Sequence, residues 1–240
     1  INFKDQILNR FNLKEYNNKN EACVFFGVFN SQDINIINKH IGKKYVINRS
    51  EHLSKYDGLS TSKKLSILTS LKGLDPSLHN KIWKLKQEST LDIIDKFVVD
   101  YRVCEILKKL KKEGFMLACA TNSIRDTAKL QLIRKGFFEH IDFLFSNQDV
   151  NKPKPSSEIY MRCMLKAAVE PSETLIIEDS PYGLLAAARS KSYILRVKNP
   201  QEVTYENIIN KINQIQMGDK QTTPAWRDET LNVLIPMAGA

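Results

Sequence analysis

Thr174-Leu175-Ile176-Ile177-Glu178-Asp179-Ser180-Pro181-Tyr182-Gly183 is a short apolar run that stops abruptly at two carboxylates. It leads into the helical pattern Leu184, Leu185, Ala188, so it reads as a buried parallel strand feeding a helix. The acids then sit at the carboxyl end of a strand. In an open α/β sheet ligands bind at that edge, and paired carboxylates there suit a hard cation such as Mg2+. Asp179 or Ser180 would equally serve as a cap for the following helix.

Working back along the chain, the apolar run Met116 to Ala120 ends at Thr121, followed by Asn122, Ser123 and a helical stretch from Ile124 to Lys135. A hydroxyl and an amide therefore stand at a second strand end, beside a helix amino terminus that suits phosphate. Between the two lies Asn151-Lys152-Pro153-Lys154-Pro155, just before a helix carrying Ile159, Tyr160, Cys163, Met164 and Ala167. The prolines stiffen this loop and exclude helix until Ser156 or so, which allows Lys152 to be aimed. A lone loop lysine is ordinarily solvated and a lone threonine after a strand is ordinarily a turn residue. The ordered set is what informs.

That set, ACATNS, then KPKPSSEIY, then IIEDSPYG, resembles the haloacid dehalogenase-like hydrolase superfamily, in particular its phosphoglycolate phosphatase and β-phosphoglucomutase branch. The resemblance covers about Val24 to Lys198. It implies a three-layer, Rossmann-like α/β core with a parallel sheet and an inserted α-helical cap. It also implies roles: Thr121 hydrogen-bonds the transferring phosphoryl group, Lys152 neutralises it, and Glu178 with Asp179 ligates Mg2+. Asn122 and Ser123 would line the substrate. Phosphoryl transfer consists mostly of positioning and electrostatic stabilisation, which these residue types supply.

The first family motif is where the chain departs. The family carries Asp-x-Asp-Gly-Val after its first strand, one aspartate as nucleophile and the other as general acid/base. Here Cys23 to Phe26 passes straight into Gly27, Val28, Phe29, Asn30, Ser31, Gln32 and Asp33. Gly27, Val28 and Ser31 resemble the tail of that motif, shortened by about a residue, which sets Val24 and Phe26 where the aspartates belong. Asp33 is the nearest carboxylate downstream, in a helix-like stretch well past the strand end. The sequence thus carries a phosphoryl cradle without a nucleophile.

From about Asp33 to Phe97 the pattern is helical, with Leu65, Leu68 and Leu71 on one face and Ile82, Leu85, Ser89 and Ile93 on another, as expected of the cap. Within it Tyr56-Asp57-Gly58-Leu59-Ser60-Thr61-Ser62-Lys63-Lys64 is a Gly-centred loop opening a helix. By resemblance Gly58, Thr61 and Lys63 or Lys64 would touch substrate. Ser60 or Thr61 as a plain N-cap accounts for the loop equally well. The expected division is a linker at 1–20, core at 21–32 and 98–200, cap at 33–97, and a C-terminal helix and linker at 201–230. Alternating helices and strands through Val197 give the βαβ signature of a parallel sheet.

The chain ends Leu231-Asn232-Val233-Leu234-Ile235-Pro236-Met237-Ala238-Gly239-Ala240, a new apolar strand running into small residues. It resembles the opening of a sugar-phosphate nucleotidyltransferase, because Gly and Ala let backbone amides approach a triphosphate closely. The expectation is a nucleotidyltransferase adjoining this domain in a longer parent chain.

Composition narrows the function classes. No apolar run approaches the length of a membrane-spanning helix and no cleavable signal opens the chain. Cys23, Cys104, Cys119 and Cys163 are scattered singly, as reduced core residues of a cytoplasmic protein. The net charge of +9 comes from lysines dispersed along helices, as in Lys108, Lys109, Lys111 and Lys112 opposite Val103, Ile106, Leu107 and Leu110. That is a solvated face and argues against nucleic acid. The expected partner is a small phosphorylated metabolite, and the expected activity that of a Mg2+-dependent phosphatase impaired by the missing motif. The alternatives are a phosphomutase on the same core, or a domain without catalysis that binds phosphometabolites or scaffolds its neighbour.

Overall fold

The computed structural model describes residues 23–26, 45–56 and 58–217. The expectations for residues 1–20, for the Gly27 to Ser31 remnant, for Asp33, and for Leu231 to Ala240 fall outside the described residues.

Among the described residues five strands form one parallel sheet: β1 (Cys23–Phe26), β2 (Met116–Ala120), β3 (Phe143–Phe145), β4 (Thr174–Glu178) and β5 (Tyr193–Arg196), in the order β3-β2-β1-β4-β5. Successive β4 residues point to opposite faces, so Leu175 and Ile177 join one core and Ile176 the other. On the first face, Leu117, Leu175 and Ile177 pack under α4 (Tyr101–Lys112) and α8 (Tyr205–Gln216) through Ile106, Leu107, Leu110, Ile208 and Ile212. On the second, Ala118, Ala120 and Ile176 pack under α6 (Glu158–Ala167) and α7 (Pro181–Arg189) through Ile159, Tyr160, Cys163, Ala186 and Ala187. Small residues in β2 and α7 let helix and sheet approach on this side. The result is the expected three-layer α/β core, with the helix of the polar C-terminal stretch built into it.

Strand order reverses about β1, which lies between β2 and β4. That is the topological switch point, where an open α/β sheet leaves a crevice beyond its carboxyl ends. Phe26 lies opposite Cys119 and Ile177, so the chain leaves β1 between Thr121, the residue after β2, and Glu178, the last of β4. Val24 lies opposite Leu117 and Leu175, two residues inside the sheet.

The inserted unit comprises α1 (Arg49–Lys55), α2 (Thr61–Lys72) and α3 (His79–Ile94), around a core of Ile47, Tyr56, Leu65, Leu68, Leu74 and Ile82. Two details differ from the sequence reading. Leu71 is 57% exposed, because two steps of three residues carry it about 120° round the helix from Leu65. On α3 the buried line is Ile82, Lys86, Thr90 and Ile94, rotated from the expected Ile82, Leu85, Ser89 and Ile93. Thr90 satisfies its hydroxyl by donating to the Lys86 carbonyl at 2.7 Å, and a lysine stem is itself apolar, so both polar types can face inward. Helix α5 (Arg125–Arg134) meets the cap through Thr127 with Gln87 on α3 and Arg134 with Asp95 at the end of α3.

Candidate active site

Glu178 is the centre of the site. It is 2% exposed, and its carboxylate accepts five hydrogen bonds: Oε2 from Lys154 Nζ at 2.7 Å and Tyr160 Oη at 2.8 Å, and Oε1 from the Asp179 and Ser180 amides, each at 3.1 Å, and Ser180 Oγ at 2.9 Å. Burial pushes the Glu178 carboxyl pKa up, but the Lys154 charge and hydrogen bond, the Ser180 amide and the Tyr160 hydroxyl outweigh it and hold it at about 2. Glu178 is therefore ionised at all ordinary pH. The Tyr160 hydroxyl moves the other way, its pKa raised by burial and by the neighbouring Glu178 charge. Lys154 also lies over the Tyr160 ring, 4.8 Å from its centroid, so a buried cation is flanked by carboxylate and π face.

The local sequence makes this seat. Ser180 is the N-cap of α7, its Oγ accepting from the Gly183 amide at 3.1 Å, with Pro181 in the first turn. A Cβ on Gly183 would stand 2.1 Å from Glu178 Cδ, so only glycine leaves the carboxylate its place. Of the two caps the sequence offered for this helix, Ser180 is the one used, and Glu178 is a buried anion.

The two lysines of this loop are placed differently. Lys152 is exposed, and its backbone amide is held by Glu158 Oε2 at 2.8 Å. Lys154, two residues on, is the one brought to Glu178, at 5% exposure. The repeated Lys-Pro dipeptide hid the choice. The discriminating signal is distance to the helix: α6 starts at Glu158, which clamps the backbone of residues 151 and 152, and this leaves Lys154 as the lysine that reaches inward. Tyr160 read only as an apolar helix position, yet its hydroxyl completes the cluster.

Thr121 is buried and follows β2 as expected. Its amide donates to the Phe145 carbonyl at 3.0 Å, and its Oγ1 accepts from the Ser123 amide at 3.1 Å, closing the turn into α5. A hydroxyl used as acceptor keeps one donor. Asn122 is committed to protein groups: Oδ1 accepts from the Lys154 amide at 3.0 Å, and Nδ2 donates to the carbonyls of Gly58 at 2.7 Å and Lys154 at 3.1 Å. Of the cap residues, Gly58 is brought against the core. Thr61 and Lys63 stand in the first turn of α2, half-buried and exposed respectively, and Ser60 is the N-cap, accepting from the Lys63 amide at 3.4 Å.

The two carboxylates are not equivalent toward a cation. A carboxylate offers about four lone-pair sites, and five donors already address those of Glu178. A metal ion could reach Glu178 only by displacing a donor. Asp179 is half-buried and lies just past the end of β4. Among the described residues no group of three or more His, Cys, Asp or Glu side chains converges as a metal site. Cys104, Cys119 and Cys163 are buried as expected and form no disulfide among the described residues, and burial pushes the Cys119 thiol pKa up to about 12. No helix among the described residues is long and apolar enough to cross a membrane.

Comparison with known proteins bears on the family and the fold. A family model described as haloacid dehalogenase-like hydrolase matches residues 29–197. Over 86 residues the chain is 35% identical to validoxylamine A 7'-phosphate phosphatase of Streptomyces hygroscopicus subsp. limoneus, covering 36% of this chain and 40% of that one. Over 93 residues it is 31% identical to pyrophosphatase PpaX of Bacillus velezensis, covering 38% and 43%. The chain thus spans about two fifths of the length of these relatives. In fold it is similar to β-phosphoglucomutase from Clostridium difficile, with a TM-score of 0.68 at 16% identity over 82% of this chain and 99% of that one. It is likewise similar to CbbY from Rhodobacter sphaeroides in complex with phosphate, with a TM-score of 0.63 at 19% identity over 75% and 86%. Sheet order, inserted helical unit and family match lead to one conclusion: the chain belongs to the haloacid dehalogenase-like hydrolases.

Proposed function

We propose that this domain binds the phosphoryl group of a sugar phosphate or other small phosphomonoester, and that it hydrolyses such esters poorly. The observation that carries the reading is the buried Lys154–Glu178–Tyr160 cluster at the end of β4, across the β1 terminus from Thr121. Lys154 supplies a positive charge fixed in a dry site, where it acts on a phosphate far more strongly than a solvated lysine would. Thr121 supplies a hydroxyl at the neighbouring strand end. Mg2+, held at Asp179, would add neutralising charge to the phosphoryl oxygens.

Poor turnover follows from the sequence around β1. Between residues 20 and 34 the only carboxylates are Glu21, ahead of the strand, and Asp33, well beyond it. Positioning groups do not replace a missing covalent nucleophile. The same observation favours the second reading, a domain that binds a phosphometabolite and scaffolds a nucleotidyltransferase in the same parent chain. Phosphate release from acetyl phosphate and a panel of hexose phosphates, with and without Mg2+, tests the proposal. The expected result is release at or near the blank; robust Mg2+-dependent turnover would overturn it and direct attention to Asp33.

A further inference from the structure

Besides the contacts of α3 with α5, the cap meets the core through its Gly-centred loop. The Gly58 carbonyl accepts from Asn122 Nδ2 at 2.7 Å, and the Lys55 carbonyl accepts from Tyr182 Oη at 3.2 Å. Gly58, with φ of +77°, lies so close to the core that a Cβ would stand 2.7 Å from Ser180 Oγ. Asn122 uses its amide on both sides. Because the Lys154 amide can only donate and the Gly58 carbonyl can only accept, the orientation of that side chain is fixed: Oδ1 toward Lys154, Nδ2 toward Gly58.

We propose that Asn122 is a positioning residue that ties the cap loop at Gly58 to the Lys154 loop, so that docking of the cap and placement of the buried lysine are coupled through one side-chain amide. One amide joins segments 64 and 32 residues away in sequence. Ser180 completes the seat: it touches Gly58 on one side and donates to Glu178 on the other, and Glu178 in turn holds Lys154. The docked loop therefore lies against Asn122, which holds the Lys154 backbone, and against Ser180, which holds Glu178. The inference draws on the proposed cradle only in that Lys154 belongs to it.

The test reads geometry, so its outcome is independent of whether the domain binds phosphate. Spin labels at Ser70→Cys on α2 and Lys166→Cys on α6, both exposed sites, report the cap-to-core distance in the full chain carrying Cys23→Ser, since Cys104, Cys119 and Cys163 are buried. Asn122→Ala and Asn122→Asp should each add a longer-distance population, because both lose the donor to Gly58. Hydrogen exchange separates the two ties. The Lys154 amide should exchange about tenfold faster in Asn122→Ala, which lacks its acceptor, and near the wild-type rate in Asn122→Asp, which keeps one. Gly58→Ala, which leaves Asn122 intact, should open the cap by collision with Ser180 and serves if the Asn122 variants fold poorly. A distance distribution unchanged in both Asn122→Asp and Gly58→Ala, or a wild-type protein showing only the long distance, would overturn the proposal. Equal Lys154 exchange in Asn122→Ala and wild type would overturn the coupling to the lysine.

Discussion

Lys154 and Glu178 are worth most as a pair, because each is the counter-charge that makes the other's burial tolerable. Removing one partner leaves an uncompensated buried charge, so Lys154→Met or Glu178→Gln should each destabilise the protein by about 3–5 kcal/mol in denaturant melts, whereas Lys152→Ala should change stability by less than about 0.5 kcal/mol. The pH dependence has a definite sign. A carboxyl whose pKa is held at about 2 in the folded chain, against 4.5 ordinarily, contributes stability that is complete above 4.5 and is lost as pH falls toward 2. The acid limb of the stability profile should therefore be shallower in Glu178→Gln than in the wild type between those values. The strand-end acid and the strand-end threonine were legible at this scale, since both follow apolar runs that stop at polar residues. Which of two Lys-Pro dipeptides carries the buried lysine was not, because Lys152 and Lys154 differ only in where Glu158 anchors the loop, a fact of three dimensions.

Elements follow the same logic one step up. Strands β2 and β4 and helices α4, α6 and α7 were all readable, because their apolar periodicity matches the layer each one packs against. Cap helices were harder. On α3 the buried line includes Lys86 and Thr90, so hydropathy alone pointed to the neighbouring face. In α2, Leu68→Ala should cost about 2–5 kcal/mol, and Leu71→Lys should cost less than about 0.5 kcal/mol, since the first side chain is fully buried and the second is 57% exposed. At the start of α7, Gly183→Ala forces a methyl group to within 2.1 Å of the Glu178 carboxyl carbon. Displacing that carboxylate breaks the ion pair, so the loss should exceed the roughly 1–3 kcal/mol of ordinary overpacking. A Gly183→Ala protein as stable as the wild type in a thermal melt would show that the carboxylate has room the structure denies it.

For the whole molecule, the sheet order places the switch point at β1, between the strand that leads into Thr121 and the strand that ends in Glu178. The βαβ rhythm and the inserted helical unit were legible in the sequence, because each strand and helix announces its own period. The contact between cap loop and core was not, since Gly58, Asn122 and Ser180 meet only once the chain has folded back on itself. The register also bears on any repair of the missing motif. An aspartate at position 24 would stand opposite Leu117 and Leu175, two residues inside the sheet. Restoring aspartates at Val24 and Phe26 together should therefore leave phosphate release at the blank. The central claim is that the domain keeps a phosphoryl cradle built on Lys154. Titration of the protein with inorganic phosphate followed by 31P NMR, in wild type, Lys154→Ala and Lys152→Ala, tests it most directly. Saturable binding weakened tenfold or more by Lys154→Ala and unchanged by Lys152→Ala is the predicted result. Binding that is absent in the wild type, or that is lost with Lys152 and retained without Lys154, would contradict it.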